Sequence, residues 1–386
     1  MGDSVRMDHK VIFALFLVHF SGDLFSSFIK PLLPSLAARH GLSLAQVGLV
    51  SGLAWMLAFV VQPTVGYLAD RHRNRLFVLG GPLLAMTCIP LVGVVPSFGL
   101  VLLCVGLGSV GSSLYHPTAA GMVLSYAGRA KGLAMAIFQL GGTLAFGVGP
   151  LLATGLVAWG GLEALPYATL LGLAMFVVCW VLIPVPESEG LKEKGFLGSI
   201  REALGGVWRS LLLIWVIIVV RSFVSQSFTT FIPMLLAHRG DSLMSIGGVV
   251  SLYVTAGALS GLLAGHLSDR LGYRPMFYLS YSLSTPVLFL LVHVPGNWIL
   301  PAAFLAGFVT LATMPLAMSL AQELAPKGRS MVSSIMMGLA FGTGGMLAPL
   351  TGKLAESFGL VPVLSAVACI PLAALVLIRR LPQVER

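Results

Sequence analysis

The feature that most limits the fold of this chain is a series of long apolar runs. A run of about 20 residues crosses a hydrocarbon core of roughly 30 Å as an α-helix, which satisfies its own backbone groups. Polar breaks, glycines and prolines separate twelve such runs, at residues 11–29, 47–68, 76–95, 98–124, 132–156, 164–184, 211–236, 245–267, 275–294, 297–322, 330–352 and 359–380. The sequence therefore predicts an all-α membrane protein with twelve transmembrane helices.

The overall composition agrees with this prediction. Hydrophobic residues make up 57% of the 386 residues, charged residues only 10%, and the mean hydropathy is +0.95. A water-soluble domain has about 25% charged residues and needs them to cover its surface. We therefore expect the lipid bilayer to be the main environment of the chain.

The distribution of lysine and arginine predicts the topology. The formal net charge is +9, and most of the basic residues between spans fall on the side shared by the two termini. The opposite side carries only Lys30, Arg39, Arg239 and Lys353. By the positive-inside rule, both termini are expected to be cytoplasmic and the membrane to be the cytoplasmic (inner) membrane. The positive charge is thus interpreted as a topology signal, and no nucleic-acid partner is expected.

Signals for an enzyme, a cofactor or a metal are absent from the sequence. The four cysteines lie singly inside apolar runs, which is typical of packing residues and predicts neither a disulfide nor a metal site. HExxH, GxSxG and Walker motifs are also missing, so we expect no enzymatic activity and no cofactor. The first apolar run lacks a cleavage signal and is expected to be the first span.

The two halves of the chain resemble each other. "GYLADRHRNR" from Gly66 corresponds to "GHLSDRLGYR" from Gly265, an offset of 199 residues, and Pro34 corresponds to Pro233 at the same offset. Such a duplication predicts two pseudo-symmetric six-helix bundles with a central site between them. The expected domains are an N-terminal bundle at residues 1–184, a cytoplasmic linker with an interfacial helix at 185–210 and a C-terminal bundle at 211–386.

The duplicated loops resemble the loop motif of the major facilitator superfamily, Gly-x-x-x-Asp-Arg-x-Gly-Arg-Arg. The matching residues are Gly66, Asp70, Arg71 and Arg75 in the first copy, and Gly265, Asp269, Arg270, Gly272 and Arg274 in the second. The first copy departs from the motif at Arg73 and Asn74. A glycine lets helices approach closely, and an aspartate at a helix end can pair with loop arginines and close the cytoplasmic side. The alternative is a basic loop that only sets topology.

A closer resemblance covers nearly the whole chain. The segments "HFSGDLF", "SSLYHPTAAG", "GLAMAIFQLGGTLAFGVGPLL" and "AQELAPKGRSMVSSIMMGLAFGTGGM" are similar to the fosmidomycin-resistance group of drug exporters. That resemblance implies a secondary transporter that works by alternating access and exports a small molecule. One departure is Thr118, which stands where the group has a glutamate after His-Pro. If that glutamate carries protons in the group, this chain must carry them elsewhere or not at all.

Two charged residues lie well inside predicted spans. Asp23 is the only such acid and Arg221 the only such base, and each costs about 2.5–3.5 kcal/mol at the bilayer centre. His19 precedes Asp23 by four residues and shares its helix face. Arg221 aligns with Gly22 through the 199-residue offset, so we expect it at a matching depth opposite Asp23. The two residues are expected either to pair as a permanent brace or to take part in binding and coupling.

His116 and Pro117 lie in span four, which lines the central cavity in the superfamily together with spans one, seven and ten. Pro117 is expected to kink the helix, and Pro150 and Pro315 are the other predicted kinks. The alternatives are a packing histidine and simple helix bending. The predicted substrate-binding residues are His19, Asp23, His116, Arg221, Gln226 and Gln139, of which Asp23 and His116 are also the predicted proton-coupling residues. Both glutamines can equally serve as interhelical contacts.

The expected function is proton-coupled efflux of a small anionic or amphiphilic compound by a monomer. No ATP site is present, so uphill transport needs an ion gradient, and one proton moving down roughly 150 mV supplies ~3.4 kcal/mol. The alternatives are an uptake or exchange carrier for an organic anion and a lipid-handling carrier on the same fold.

The duplicated loops lead to a first testable prediction. Replacing Asp70 or Asp269 with Asn should release the loop arginines and favour the inward-open state, because the carboxylate charge that holds them is lost. The measurement is the labelling rate of a cysteine introduced into the cytoplasmic cavity, which should rise in each variant. Unchanged labelling in both variants would leave only the topology-setting role for these loops.

Overall fold

The structure, a computed structural model, describes residues 6–69, 75–128, 130–185, 205–325, 332 and 335–382. Within these residues the regular secondary structure is entirely helical. The predicted interfacial helix of the 185–210 linker lies mostly outside the described residues. The described part of that linker is a short 3₁₀ turn, Gly205–Val207, directly before the next long helix.

The described residues of the first half form seven α-helices. They are α1 (His9–Ser26), α2 (Ile29–His40), α3 (Leu44–Ala69), α4 (Leu76–Leu91), α5 (Phe98–Tyr126), α6 (Lys131–Gly160) and α7 (Ala168–Leu182), the last preceded by the 3₁₀ helix Leu162–Tyr167. Two sequence patterns account for their ends. Asp8 and Ser97 cap the N-termini of α1 and α5 through their side chains, and Gly41 ends α2 in the left-handed conformation.

Eight α-helices are described in the second half. They are α8 (Trp208–His238), α9 (Leu243–Leu271), α10 (Tyr273–His293), α11 (Ile299–Leu311), α12 (Met314–Leu324), α13 (Phe341–Met346), α14 (Ala348–Phe358) and α15 (Leu360–Ile378), with the 3₁₀ turn Gly296–Trp298 before α11 and the π-helical segment Ile335–Ala340 before α13.

Ten helical stretches of the described part are long and apolar enough to cross a membrane. A further apolar helix, α4, has 16 residues, which is short for a span of about 20 residues. The all-helical membrane architecture is therefore confirmed, whereas the number twelve stays a prediction.

Several predicted spans differ from the helices in length or continuity. The first was predicted at 11–29, but helix continues beyond a break at Ser27 and Phe28 to His40, with Pro34 inside α2. Hydropathy dips at Lys30, which is why the sequence alone ends the span too early.

The three predicted kink prolines lie in different helical contexts. Pro315 occupies the first turn of α12, after an interruption between α11 and α12, where a missing backbone N–H costs little. Helices α5 and α6 run continuously through positions 117 and 150. Bending at those two positions therefore stays a prediction.

The buried apolar side chains form three clusters. We call the side of the helices that carries the chain ends the terminal side and the opposite side the far side. On the terminal side, one cluster belongs to the first half (from Val11 to Ile183) and another to the second half (from Leu211 to Leu381). On the far side a single cluster contains residues of both halves, from Leu24 to Ala368. In the described residues, the buried cluster that both bundles share therefore lies on the far side, and Trp55 of α3 packs against the second-half cluster.

Glycines allow the bundles to meet closely on the far side. A Cβ on Gly48 of α3 would lie 2.8 Å from the Cα of Pro349 in α14, and one on Gly52 would lie 3.2 Å from the Pro349 ring. Small residues let helix backbones approach in this way without a hydrophobic driving force between them.

Polar contacts also cross the bundle boundary on the far side. Ser51 and Thr230 share a hydrogen bond of 2.7 Å, and the Ala45 amide donates to Glu356 Oε1 at 2.8 Å. The hydrogen bond from the Ala45 amide lowers the pKa of Glu356 to about 2, and hydrogen bonds from Ser43 and Lys353 contribute to the same shift. A depressed carboxyl pKa means that this contact is present above the ordinary glutamate pKa and is lost only as the pH falls through about 2.

The packing at Gly48 leads to the second prediction. Gly48→Val should push α3 from α14 and open the far side, because overpacking a close contact costs about 1–3 kcal/mol. A cysteine at position 230 should then react faster with a membrane-impermeant maleimide. Gly155→Val is the matched control, since a Cβ there has no neighbour within 4 Å. Equal labelling in the two valine variants would contradict the role of this contact.

Candidate functional site

The candidate site is centred on the carboxylate of Asp23 in α1. Only 4% of this residue is exposed, and three side chains surround it. The Tyr115 hydroxyl donates to Oδ1 at 2.5 Å, His19 Nε2 lies 3.2 Å from Oδ2, and His116 Nε2 lies 3.6 Å from Oδ1. The structure therefore brings together three of the predicted residues, His19, Asp23 and His116.

Backbone carbonyls set the orientation of both histidines. His19 Nδ1 lies 2.8 Å from the carbonyl oxygen of Phe138, and His116 Nδ1 lies 2.7 Å from that of Ser112. A carbonyl oxygen only accepts, so each Nδ1 carries the hydrogen. Each Nε2 then faces the Asp23 carboxylate. That contact is attractive when Nε2 is also protonated and repulsive when it presents a lone pair.

Neighbouring glycines make room for this cluster. A Cβ on Gly142 of α6 would lie 2.9 Å from Asp23 Oδ2, and one on Gly22 would lie 2.9 Å from the Tyr115 hydroxyl oxygen. The segment "FQLGG" thus supplies the carbonyl of Phe138 that orients His19 and the space at Gly142 that admits the carboxylate.

The exposure of the side chains in this cluster is uneven. The side chains of His19 and Asp23 are 5% and 6% exposed, but that of His116 is 24% exposed. Its ring stacks on Tyr115 at 4.2 Å between centroids. His116 is therefore the least buried of these three side chains.

The donor atoms of His19, Asp23 and His116 lie within 4.8 Å of one another, a spacing that could also hold a metal ion. Within the described part of the chain this is the only group of at least three such donors. Thr118 adds no carboxylate to it, and its hydroxyl donates to the Leu114 carbonyl at 3.3 Å.

Arg221 of α8 lies at the same level as Asp23 but is not its ion-pair partner. Along α1, Asp23 follows Val18 of the first-half cluster and precedes Leu24 of the shared cluster. Along α8, Arg221 likewise follows Ile218 of the second-half cluster and precedes Val224 of the shared cluster. The matching depth agrees with the duplication. The expected brace is not formed in this structure, because Asp23 is already satisfied by groups of its own bundle.

Arg221 has buried atoms without a hydrogen-bond partner, and Tyr253 lies near it. The unpartnered atoms of Arg221 are Nε and Nη1, and its guanidinium carbon lies 5.3 Å from the centre of the Phe341 ring. Buried hydroxyls of Tyr253, Thr310 and Thr313 also lack a partner.

The two predicted glutamines occupy different environments. Gln226 Oε1 accepts from Lys30 Nζ at 2.6 Å, and Lys30 also donates to Thr229 Oγ1 at 2.6 Å. Gln226 is therefore an interhelical contact on the far side in this state. Gln139 is exposed on α6.

The structure describes only part of the predicted gate. Asp70 and Arg71 lie outside the described residues, as does the side chain of Asp269. The Arg75 guanidinium lies 6.0 Å from the Trp180 ring centre, and Arg274 Nε donates to the Leu381 carbonyl at 2.6 Å.

The remaining gate residues lie in helices. Gly66 is in α3, and Gly265 and Arg270 are near the end of α9, with Arg270 exposed. The carboxylate–arginine contacts of the gate stay a prediction.

Sequence reasoning missed Tyr115, Lys30 and Tyr253. Tyr115 precedes His116 directly, and a phenol in an apolar run needs a hydrogen-bond partner, which was the available signal. Lys30 lies within the helical stretch His9–His40, where an ammonium group needs acceptors as well.

Comparisons with known proteins are consistent with this fold. The family model of the Major Facilitator Superfamily matches residues 15–349 and 214–385. The fosmidomycin resistance protein of Escherichia coli is 26% identical over 379 residues, covering 97% of this chain and 93% of that protein. The quinolone resistance protein NorA of Staphylococcus aureus is 24% identical over 303 residues, covering 75% of each chain.

Solved structures give the same result for the fold. A bacterial homologue of the human lysosomal transporter Spinster, in an inward-facing and unoccupied conformation, superimposes with a TM-score of 0.80. Its sequence is 17% identical, and the match covers 95% of each chain.

The third prediction concerns the hydrogen bond from Tyr115. Tyr115→Phe should lower the stability of the protein by about 1–3 kcal/mol, because a buried carboxylate loses a donor. Tyr167→Phe is the control, since Tyr167 is 62% exposed. Thermal unfolding in detergent checks this. If the two variants melt at the same temperature, Tyr115 does not stabilise the Asp23 carboxylate.

Proposed function

Because this chain belongs to the major facilitator superfamily of membrane transporters, we propose that it exports a small anionic or amphiphilic compound in exchange for protons. In this proposal the bundles at residues 1–184 and 211–386, joined by the linker 185–210, move against each other around a central site. The protein works as a monomer in the cytoplasmic membrane, with both termini in the cytoplasm.

The observation that carries the proposal is the arrangement around Asp23. Two imidazole Nε2 atoms face one buried carboxylate at 3.2 and 3.6 Å, while both Nδ1 atoms are held by carbonyl oxygens. Protons on Nε2 make these contacts attractive, and their loss makes them repulsive. The cluster is therefore suited to bind and release protons during a transport cycle.

The location of the cluster supports a coupling role. Asp23 and His19 lie where the separate first-half core meets the core shared by both bundles. A change of charge at this level alters the packing between α1, α5 and α6, the helices that contribute the cluster. Such a change can bias which side of the protein is closed.

Export is the direction favoured by the relatives. Two similar proteins are named for resistance to fosmidomycin and to quinolones, and efflux is a direct way for a transporter to cause resistance. An inward proton gradient of roughly 150 mV supplies ~3.4 kcal/mol per proton, enough for a concentration ratio of about 300-fold.

The fourth prediction tests this function. In proteoliposomes, Asp23→Asn should abolish transport driven by a pH gradient, since the amide neither binds a proton nor attracts protonated histidines. Binding of the compound and its exchange at equal pH should remain measurable. Transport is assayed with fosmidomycin and norfloxacin, each with and without the gradient.

Controls separate loss of coupling from loss of folding and from metal dependence. Glu163→Gln also replaces a carboxylate with an amide, but at an exposed position on the far side. Its gradient-driven transport should stay within about twofold of the wild-type rate, as expected for a surface substitution. EDTA should also leave transport unchanged if protons are the coupling ions. Full gradient-driven transport by Asp23→Asn would overturn proton coupling at this residue. If the compound moves in the same direction as the protons, the protein is an uptake carrier.

A further inference from the structure

Buried polar atoms without a hydrogen-bond partner are concentrated in one part of the second half. In the described residues there are seven such side-chain atoms, and five of them belong to Arg221, Tyr253, Thr310 and Thr313. These four residues lie on α8, on α9, at the end of α11 and in the turn that follows it. The clustering is notable because a buried donor left unpaired costs about 1–3 kcal/mol.

All of these atoms can donate hydrogen bonds. The guanidinium offers N–H groups only, and the tyrosine and threonine hydroxyls offer O–H groups. In the described part of the chain no carboxylate forms an ion pair with Arg221, and Asp23 at the matching level is occupied by His19, His116 and Tyr115. An anion that offers oxygen acceptors would satisfy these donors and neutralise the guanidinium.

The packing holds these groups in place. The Arg221 guanidinium lies over the Phe341 ring. The Ser222 hydroxyl donates a hydrogen bond of 3.0 Å to the Phe341 carbonyl. Gly307 allows α11 to cross α9 at Tyr253, since a Cβ at Gly307 would lie 2.8 Å from the Tyr253 Cα. Thr310 follows one turn later on α11, beside the Tyr253 hydroxyl.

Another phenol near Arg221 is not available for a ligand. The Tyr281 hydroxyl donates to the carbonyl of Ile217 at 2.9 Å. Tyr253 is thus the phenol near Arg221 whose hydroxyl is not held by a backbone carbonyl. The side chains beside it are those of Ser225 and Thr310.

We infer that Arg221, Tyr253 and Thr310 form the subsite for the anionic, oxygen-bearing group of the transported compound. This inference rests on the proposed function, because it requires that the chain carries a small substrate. It places the substrate anion in the C-terminal bundle and the protons in the N-terminal bundle. A carboxylate, a phosphonate or a sulfonate shares the required chemistry, since each offers two or three oxygens to the guanidinium fork.

The subsite also has a consequence for the transport cycle. A bound anion neutralises the buried guanidinium and satisfies donors that are otherwise unpaired. Occupation should therefore stabilise a state in which the C-terminal bundle closes around Arg221, in addition to binding the compound.

The fifth prediction tests the subsite by binding to the purified, full-length protein in detergent. The probes are benzoate, phenylphosphonate and benzenesulfonate, with benzamide as the neutral analogue, measured by calorimetry. Arg221→Gln should weaken binding of the preferred anion by about 10-fold or more, as expected for a lost hydrogen bond to a charged group, and leave benzamide unchanged. Tyr253→Phe removes only one hydroxyl and should weaken binding of the anion by about 3- to 10-fold.

Control measurements keep the inference falsifiable. Tyr167→Phe should bind like the wild-type protein, and Tyr253→Phe supplies the decisive result if Arg221→Gln does not fold. Anion binding that is unchanged in both Tyr253→Phe and Arg221→Gln would overturn the subsite. The subsite would also be overturned if the double variant Asp23→Asn/Arg221→Gln melted at a higher temperature than either single variant. That result would indicate a brace between the two residues.

The same measurements separate this inference from the proposed function. If wild-type protein binds a probe through Arg221 and Tyr253 but shows no gradient-driven transport, the subsite is supported and proton coupling fails. If gradient-driven transport is present and the charge of the probe has no effect on binding, the subsite fails and the coupling proposal stands.

Discussion

The structure depends on the need to stabilise one carboxylate inside the membrane. Asp23 cannot be solvated by lipid, so the chain surrounds it with Tyr115, His19 and His116, and backbone carbonyls hold both rings in position. Glycines of α1 and α6 provide the space for these side chains. A single buried charge thus explains why three helices meet closely at this point and why the segments with the strongest family resemblance converge there.

The Asp23 carboxylate lies at a boundary in the apolar core. Both bundles share a core on the far side, whereas each has its own core on the terminal side. In the transport cycle that we propose, this arrangement of the described residues is one end point of the rocking motion of the two bundles. Asp23 and Arg221 lie at the boundary between joined and separated packing, where a change in charge affects both kinds of contact.

The sequence alone predicts the fold class well, because long apolar runs leave helices as the available spanning structure. It also finds His19 with Asp23, since residues four apart share a helix face. Other features depend on tertiary contacts that spacing does not encode. Of the two alternatives for Asp23 and Arg221, the structure does not form the brace, because Tyr115 and His116 of α5 contact the carboxylate instead. The unpaired hydroxyls near Arg221 appear only when α8, α9 and α11 are packed.

The duplication also shows how two similar halves acquire different chemistry. Arg221 corresponds to Gly22, so the position that carries a guanidinium in α8 is the glycine in α1 that makes room for Tyr115. The N-terminal bundle therefore holds a negative charge that its own side chains satisfy, whereas the C-terminal bundle holds a positive charge that they do not. Because a buried, unpaired cation is unfavourable, the anion subsite that we propose falls in one half only.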